Sequence, residues 1–214
     1  MDFVKIVVDL ILHLDVHLKA IILQYGAWTY ALLFFVIFME TGFVVTPFLP
    51  GDSLIFAAGT FAALGSLNLW LLLAFLATAA VVGDSVNYWI GYFVSERAYH
   101  TRWIKKEYLD RTHAFFQKHG GKTVFLARFV PIIRTFAPFV AGIGKMPYSY
   151  FFSYNVLGGI VWVAVFTCAG YFFGNIPVIR DHFSLVIIVI ILISLVPMVI
   201  EALKLRRESA PTNP

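Results

Sequence analysis

Apolar residues fall in long blocks along this chain: Ala27 to Val45, Ser53 to Leu64, Leu67 to Val94, Thr123 to Gly144, Tyr148 to Phe173 and Phe183 to Leu203. A helix rises 1.5 Å per residue, so a block of about 20 residues matches a hydrocarbon core of roughly 30 Å. Spans are predicted at 27–45, 67–94, 148–173 and 183–203. The Ser53 to Leu64 block is too short to cross. It follows Thr46-Pro47-Phe48-Leu49-Pro50-Gly51-Asp52, a helix breaker set in apolar surroundings. Broken backbone at membrane depth must be buried in protein or line a cavity, so 46–66 is predicted to be a re-entrant hairpin. Thr123 to Gly144 contains Pro131 and Pro138 and ends in Gly142 and Gly144, which predicts a second re-entrant element over 123–145.

Polar positions mark the rest. Residues 2 to 22 place Asp2, Lys5, Asp9, His13 and His17 along one helical face, as in a helix lying on a membrane surface. His13 and His17 are one turn apart, but no third ligand is near in sequence, so a solvated stripe is expected and no metal. Residues 95–122 are charged and aromatic, with Tyr108, Leu109, Phe115 and Phe116 at helical spacing before Gly120-Gly121, which predicts a surface helix in a basic loop. The organisation expected is an amphipathic helix over 1–24, one membrane domain over 25–203 and a tail over 204–214.

Composition agrees with this pattern. The chain is 60% hydrophobic and 13% charged, against about 25% charged for an ordinary soluble domain. No lysine or arginine occurs between Lys19 and Arg97, and the basic residues gather in 95–122 and at Lys204, Arg206 and Arg207. The net charge of +4 therefore points to cytoplasmic loops and not to nucleic acid. If both basic segments are cytoplasmic, both termini lie inside and the two hairpins enter from opposite faces, the arrangement of an inverted repeat. Internal echoes are faint: Phe48-Leu49-Pro50 with Ala57-Ala58-Gly59 against Phe129-Val130-Pro131 with Ala141-Gly142. Cys168 is alone, which excludes a disulfide framework. The N-terminus lacks a small-residue cleavage site and is expected to be retained.

Charges inside the apolar blocks carry the chemistry. Glu40, Asp52 and Asp84 lie in the first half and Arg128 and Arg134 in the second. A lipid-facing arginine costs roughly 2.5–3.5 kcal/mol at mid-membrane, so the two are expected to line a polar cavity. If the halves meet at the midplane, three carboxyls face two guanidiniums and at least one is left without a dedicated partner, as a proton relay requires. Guanidiniums offer bidentate donors to a phosphate and stay charged when buried. They are equally able to pair with Asp52 or Glu40 and tie the hairpins together. Asp84 has the local alternative of bonding Asn87 or Tyr88 one turn away. Pro47, Pro50, Gly51, Pro131, Pro138, Gly142 and Gly144 are expected to shape the hairpins. Gly83, Asn87 and Gly91 form a small-residue rhythm suited to close helix approach. No metal-ligand cluster, Ser-His-Asp arrangement or phosphate loop is present in the apolar segments, so neither an enzyme nor a cofactor is expected.

These residues resemble those of the DedA family, bacterial relatives of the SNARE-associated-Golgi or VTT-domain proteins. The matching pieces are Glu40 with T46-P-F-L-P-G-D-S53, then G83-D-S-V-N-Y-W-I-G91-Y, and F125-L-A-R-F-V-P-I-I-R-T-F-A-P-F-V-A-G-I-G144, together covering residues 25 to about 175. The resemblance implies a polytopic inner-membrane protein with two re-entrant helices, to which the apolar blocks add an all-α architecture of about four spans. It implies a proton-motive-force-dependent transporter similar to flippases of undecaprenyl phosphate, with eukaryotic relatives that scramble phospholipids. The family's important acids fall on Glu40 and Asp52 and its important arginines on Arg128 and Arg134. The chain is also similar to a paralogous pair associated with cell division, envelope integrity, drug resistance and growth at alkaline pH. Expected partners are a membrane lipid or lipid phosphate and protons, with homo-oligomer formation left open. The rival expectation is a proton-coupled cation antiporter using the same carboxylates.

Overall fold

The computed structural model describes residues 14–43, 51–101 and 120–174, together with 176, 177, 179, 185, 186 and 188–190. Among these the chain is helical, with no strand: α1 Leu14–Tyr25, α2 Trp28–Gly42, α3 Gly51–Ala63, α4 Leu69–Thr101, α5 Pro131–Ile143 and α6 Tyr148–Phe173. A further helical segment covers 120–127. Pro47, Pro50, the surface helix near 108–116, the tail, and most of the N-terminal helix and of the 183–203 span lie outside the described residues.

Each boundary has a local cause. Gly65, at φ 76, closes α3, with Gly65 N donating to Ala62 O and Ser66 N to Phe61 O, the paired bonds of a Schellman ending. Asn68 then starts α4 by accepting the backbone N–H groups of Trp70 and Leu71 at 3.0 and 3.1 Å on its side-chain oxygen. Val130 is extended (φ −117, ψ 108), and Pro131 opens α5, where its missing N–H costs nothing.

Leu69–Arg97 and Tyr148–Phe173 are long and apolar enough to cross a membrane. At 13 residues each, α3 and α5 are only about 20 Å long, short of the roughly 30 Å core. The helix bounds add two details to the expected blocks. Helix α4 does not stop at 94 but continues to Thr101 through the start of the expected basic loop, because Ser95 to Thr101 contains charge but no glycine or proline. Charge ends the apolar span without ending the helix. In 123–145 the break coincides with residues 128–130 before Pro131, whereas Pro138 lies within an unbroken α5.

Helices pair through glycines. On α3 a Cβ at Gly59 would overlap the Thr167 carbonyl of α6, and one at Gly170 would overlap the Phe56 carbonyl of α3. The same reciprocity joins α4 and α5, where Gly91 meets the Phe139 carbonyl and Gly142 the Tyr88 carbonyl. Each short helix thus lies with its backbone against a long one, as small residues permit in a membrane.

Two apolar clusters result. One gathers Leu33 and Ile37 of α2, Ile55 to Ala58 of α3, Leu72, Leu76, Ala79 and Ala80 of α4, and Trp162 and Val163 of α6. The other is centred on Tyr88, Val124, Ala141, Met146 and Phe151. On α4, Asp84 and Asn87 lie between the two; on α6, Asn155 does. The buried charges occupy the layer between these clusters.

Candidate functional site

Arg134 sits in the first turns of α5, just past the break. Its two terminal nitrogens diverge, Nη1 donating to Asp52 Oδ1 of α3 at 2.5 Å and Nη2 to Glu40 Oε1 near the end of α2. The guanidinium also stacks over Trp162 of α6, with Cζ 4.8 Å from the ring centroid, and Trp162 Nε1 donates to Asp52 Oδ1 at 2.9 Å. One arginine therefore joins four helices. Glu40 is 0% exposed, and its second oxygen, Oε2, lies against Gly51 at the start of α3 without a well-formed hydrogen bond. Any side chain on Gly51 would overlap that oxygen. Arg134 Nε is likewise buried without a partner among the described residues.

Arg128 lies in the break itself. Its Nη2 donates to Asp84 Oδ2 of α4 and to Asn155 Oδ1 of α6. Asn155 is held in turn, its Nδ2 donating to Val81 O at 2.9 Å. The arginine passes over Gly158 and Gly159, where added Cβ atoms would stand 3.3 Å from Nε and 3.5 Å from Nη1. Asn87 closes the layer by donating from Nδ2 to Thr135 O at 2.7 Å and Thr41 O at 3.2 Å. Gly83, the middle residue of the Leu69–Arg97 span, is adjacent to Asp84, so the layer lies near half-depth of that span.

All five charged residues singled out in the sequence thus converge. Arg128, Arg134, Asp84, Thr41, Thr135 and Trp162 line one cavity of about 10 Å³, at the lower limit of roughly 10–15 Å³ for one water. The expected polar cavity exists but is small, and carboxylates already occupy donors of both arginines that line it. Glu40 and Asp52 share Arg134, one on each terminal nitrogen, so one carboxyl is in excess of the dedicated partners, as expected. Asp84 takes the distant partner and not the local one. Asp84 bonds neither Asn87 nor Tyr88: Arg128 takes the carboxylate as a charged partner, Asn87 bridges backbone carbonyls and the Tyr88 hydroxyl donates to Met146 O.

Among the shape-making residues, Gly51 makes room for Glu40, Pro131 starts α5, Gly142 permits the crossing with α4, and Gly144 caps α5. Pro138 is a buried member of α5. Asn155, Gly158, Gly159 and Trp162 were not singled out. Their spacing of three, four and seven residues puts them on one face of α6, and an asparagine inside an apolar span was the available signal.

A family model described as the VTT domain matches residues 49–172. Protein DedA of Escherichia coli K12 is 51% identical over 215 residues, covering 98% of this chain and 98% of its own. An uncharacterized membrane protein of Mycobacterium leprae is 41% identical over 170 residues, covering 78% of this chain and 76% of its own. Inner membrane protein YqjA of E. coli K12 is 31% identical over 156 residues, covering 72% and 71%. No solved structure matches. The match spans α3, α4, α5, all but the last residue of α6 and every charged residue of the central layer except Glu40, and the chain belongs to the VTT-domain, or DedA, family of membrane proteins.

Proposed function

We propose that the protein is a proton-driven transporter of an anionic lipid, a lipid phosphate such as undecaprenyl phosphate or a phospholipid, and makes or breaks no covalent bond. The observation that carries this reading is the meeting of two arginines and three carboxylates in one buried layer near the middle of a span, where both arginines and Asp84 line a single small cavity. A phosphate competes with carboxylates for the same guanidinium donors. Protonation of Glu40 or Asp52 releases Arg134, the headgroup takes the vacated donors, and deprotonation expels it. The broken backbone at 128–130 and the short α3 and α5 fit two re-entrant hairpins of an inverted repeat, completed by spans at 27–45 and 183–203. We place the protein in the bacterial inner membrane with both termini cytoplasmic, consistent with a relative named as an inner membrane protein.

The test is reconstitution into vesicles and measurement of flipping of labelled lipid phosphate and phosphatidylethanolamine, with and without a pH gradient. Wild type is expected to flip the lipid phosphate faster with the gradient, Arg134→Ala to be inactive, and Asp52→Asn to move lipid without regard to the gradient. Lipid movement that is equal in Arg134→Ala would refute phosphate recognition. A second reading, a proton-coupled cation antiporter, is favoured by the excess carboxyl, although two arginines raise a barrier to cations. Gradient-driven cation flux in vesicles where no lipid moves would replace the first reading by the second.

A further inference from the structure

A second cavity, of about 550 Å³, runs along the outer seam between α4 and α6. Val82, Val86 and Trp89 form one wall and Phe152, Val156 and Ile160 the other; no charged residue lines it among the described residues. Its size lies in the range of roughly 300–1,000 Å³ that ordinary ligand sites occupy. One end is closed by Trp89 against Tyr148, with ring centroids 5.2 Å apart. Tyr92 follows on α4 with Lys145 over its ring at 5.6 Å, the aromatic and cationic residues that mark a membrane interface.

The floor of this groove is continuous with the charged chamber. Val81 and Ser85 line the groove, and both accept from Asn155 Nδ2, at 2.9 and 3.4 Å. The other end of that amide accepts from Arg128, which lines the chamber. One side chain, Asn155, with the Gly158-Gly159 step beside it, therefore separates an apolar groove open to the side from a buried guanidinium. We propose that the groove holds the hydrocarbon chain of an anionic membrane lipid whose phosphate reaches Arg128 through the Asn155 seam, so that α4 and α6 form the lateral portal of the transporter. This deepens the proposed function and rests on it for the role of the portal. The chemistry fits: a chain with no polar group meets a wall with no charge, and a phosphate leaving water for mid-membrane finds a guanidinium one layer inward.

The test uses the full-length protein in phosphatidylethanolamine vesicles containing phosphatidic acid with a photoactivatable diazirine on its acyl chain. Labelled residues are mapped by mass spectrometry under increasing unlabelled phosphatidic acid. Labelling of Val82, Val156 and Ile160 is expected to saturate and be competed away, while that of Phe35 and Phe172, 58% and 68% exposed outside the groove, is not. In Val82→Trp with Val156→Trp the competed fraction is expected to fall about tenfold, the effect of two or more methylenes losing their burial. Groove labelling as unsaturable as that of Phe172 overturns the proposal, and this readout on the unmodified protein stands even if the double variant does not fold. Flipping measured in the same vesicles separates the two ideas. Competed labelling without any lipid movement overturns the transport reading and keeps the groove as a lipid site. Movement that is unchanged in a folded double variant overturns the groove and leaves transport standing.

Discussion

Arg134 gains its importance from having two donors that point apart. An ammonium keeps the charge but cannot reach Asp52 and Glu40 together while stacking on Trp162. Arg134→Ala leaves two buried carboxylates without a cation and is expected to lower stability by about 3–5 kcal/mol, measured by thermal unfolding in detergent. Arg134→Lys should melt between that variant and wild type and move no lipid; full transport by the lysine variant would argue against the bridge. Gly51 allows a sharper check of the same geometry. Gly51→Ala forces a methyl onto Glu40 Oε2 and should cost about 1–3 kcal/mol, but clearly less when Glu40 is already alanine. Equal costs in the two backgrounds would mean that Glu40 does not occupy that space.

Those five charges announced themselves because an ionised side chain has no cheap place in an apolar block. Their pairing did not, since Arg128 and Asp84 are 44 positions apart and the competing partner, Asn87, is one helical turn from Asp84. A local hydrogen bond lost to a distant full charge. Asn155 and Trp162 were harder still: one is neutral, and the other is a residue type common in any membrane helix.

Among helices, the short pairing with the long is governed by backbone approach. Alanine at Gly59 or Gly142 overlaps a carbonyl of the facing helix, so each substitution should cost about 1–3 kcal/mol, whereas Gly158→Ala, whose nearest neighbour is 3.3 Å away, should cost less. Melting temperatures of the three variants give the ranking; if Gly158→Ala proves the worst, the crossings are not what holds α3 and α5. The long helices were readable from hydropathy alone, and the break at 128–130 from Pro131. Proline content overstated the case at Pro138, because a proline inside a helix removes one hydrogen bond and does not by itself end it when neighbours hold the backbone. Asn87, donating to the carbonyl of Thr135, is one such neighbour.

The protein as an assembled unit sets stability against activity. Three acids and two arginines between two apolar clusters cost desolvation that well-packed apolar residues would not. Asp84→Asn strands Arg128 and should lose about 3–5 kcal/mol, while Asp84→Asn with Arg128→Met should recover much of it by removing the unpaired charge. Thermal unfolding reports the recovery; lipid flipping is expected to stay absent in both. Restored flipping in the double variant would mean that the pair is only a fastening.

The backbone break between 120–127 and α5 has one further consequence. Arg128 is rooted on it and Arg134 beyond it, so Phe129 and Val130 act as a fulcrum between two latches. Arg134 fastens α5 to α2 and α3 and, through Trp162, to α6, whereas Arg128 fastens the break to α4 and α6. The two latches share α6 as an anchor, so a shift of that helix is expected to strain both, whereas a tilt of α5 about the fulcrum is expected to strain Arg134 alone.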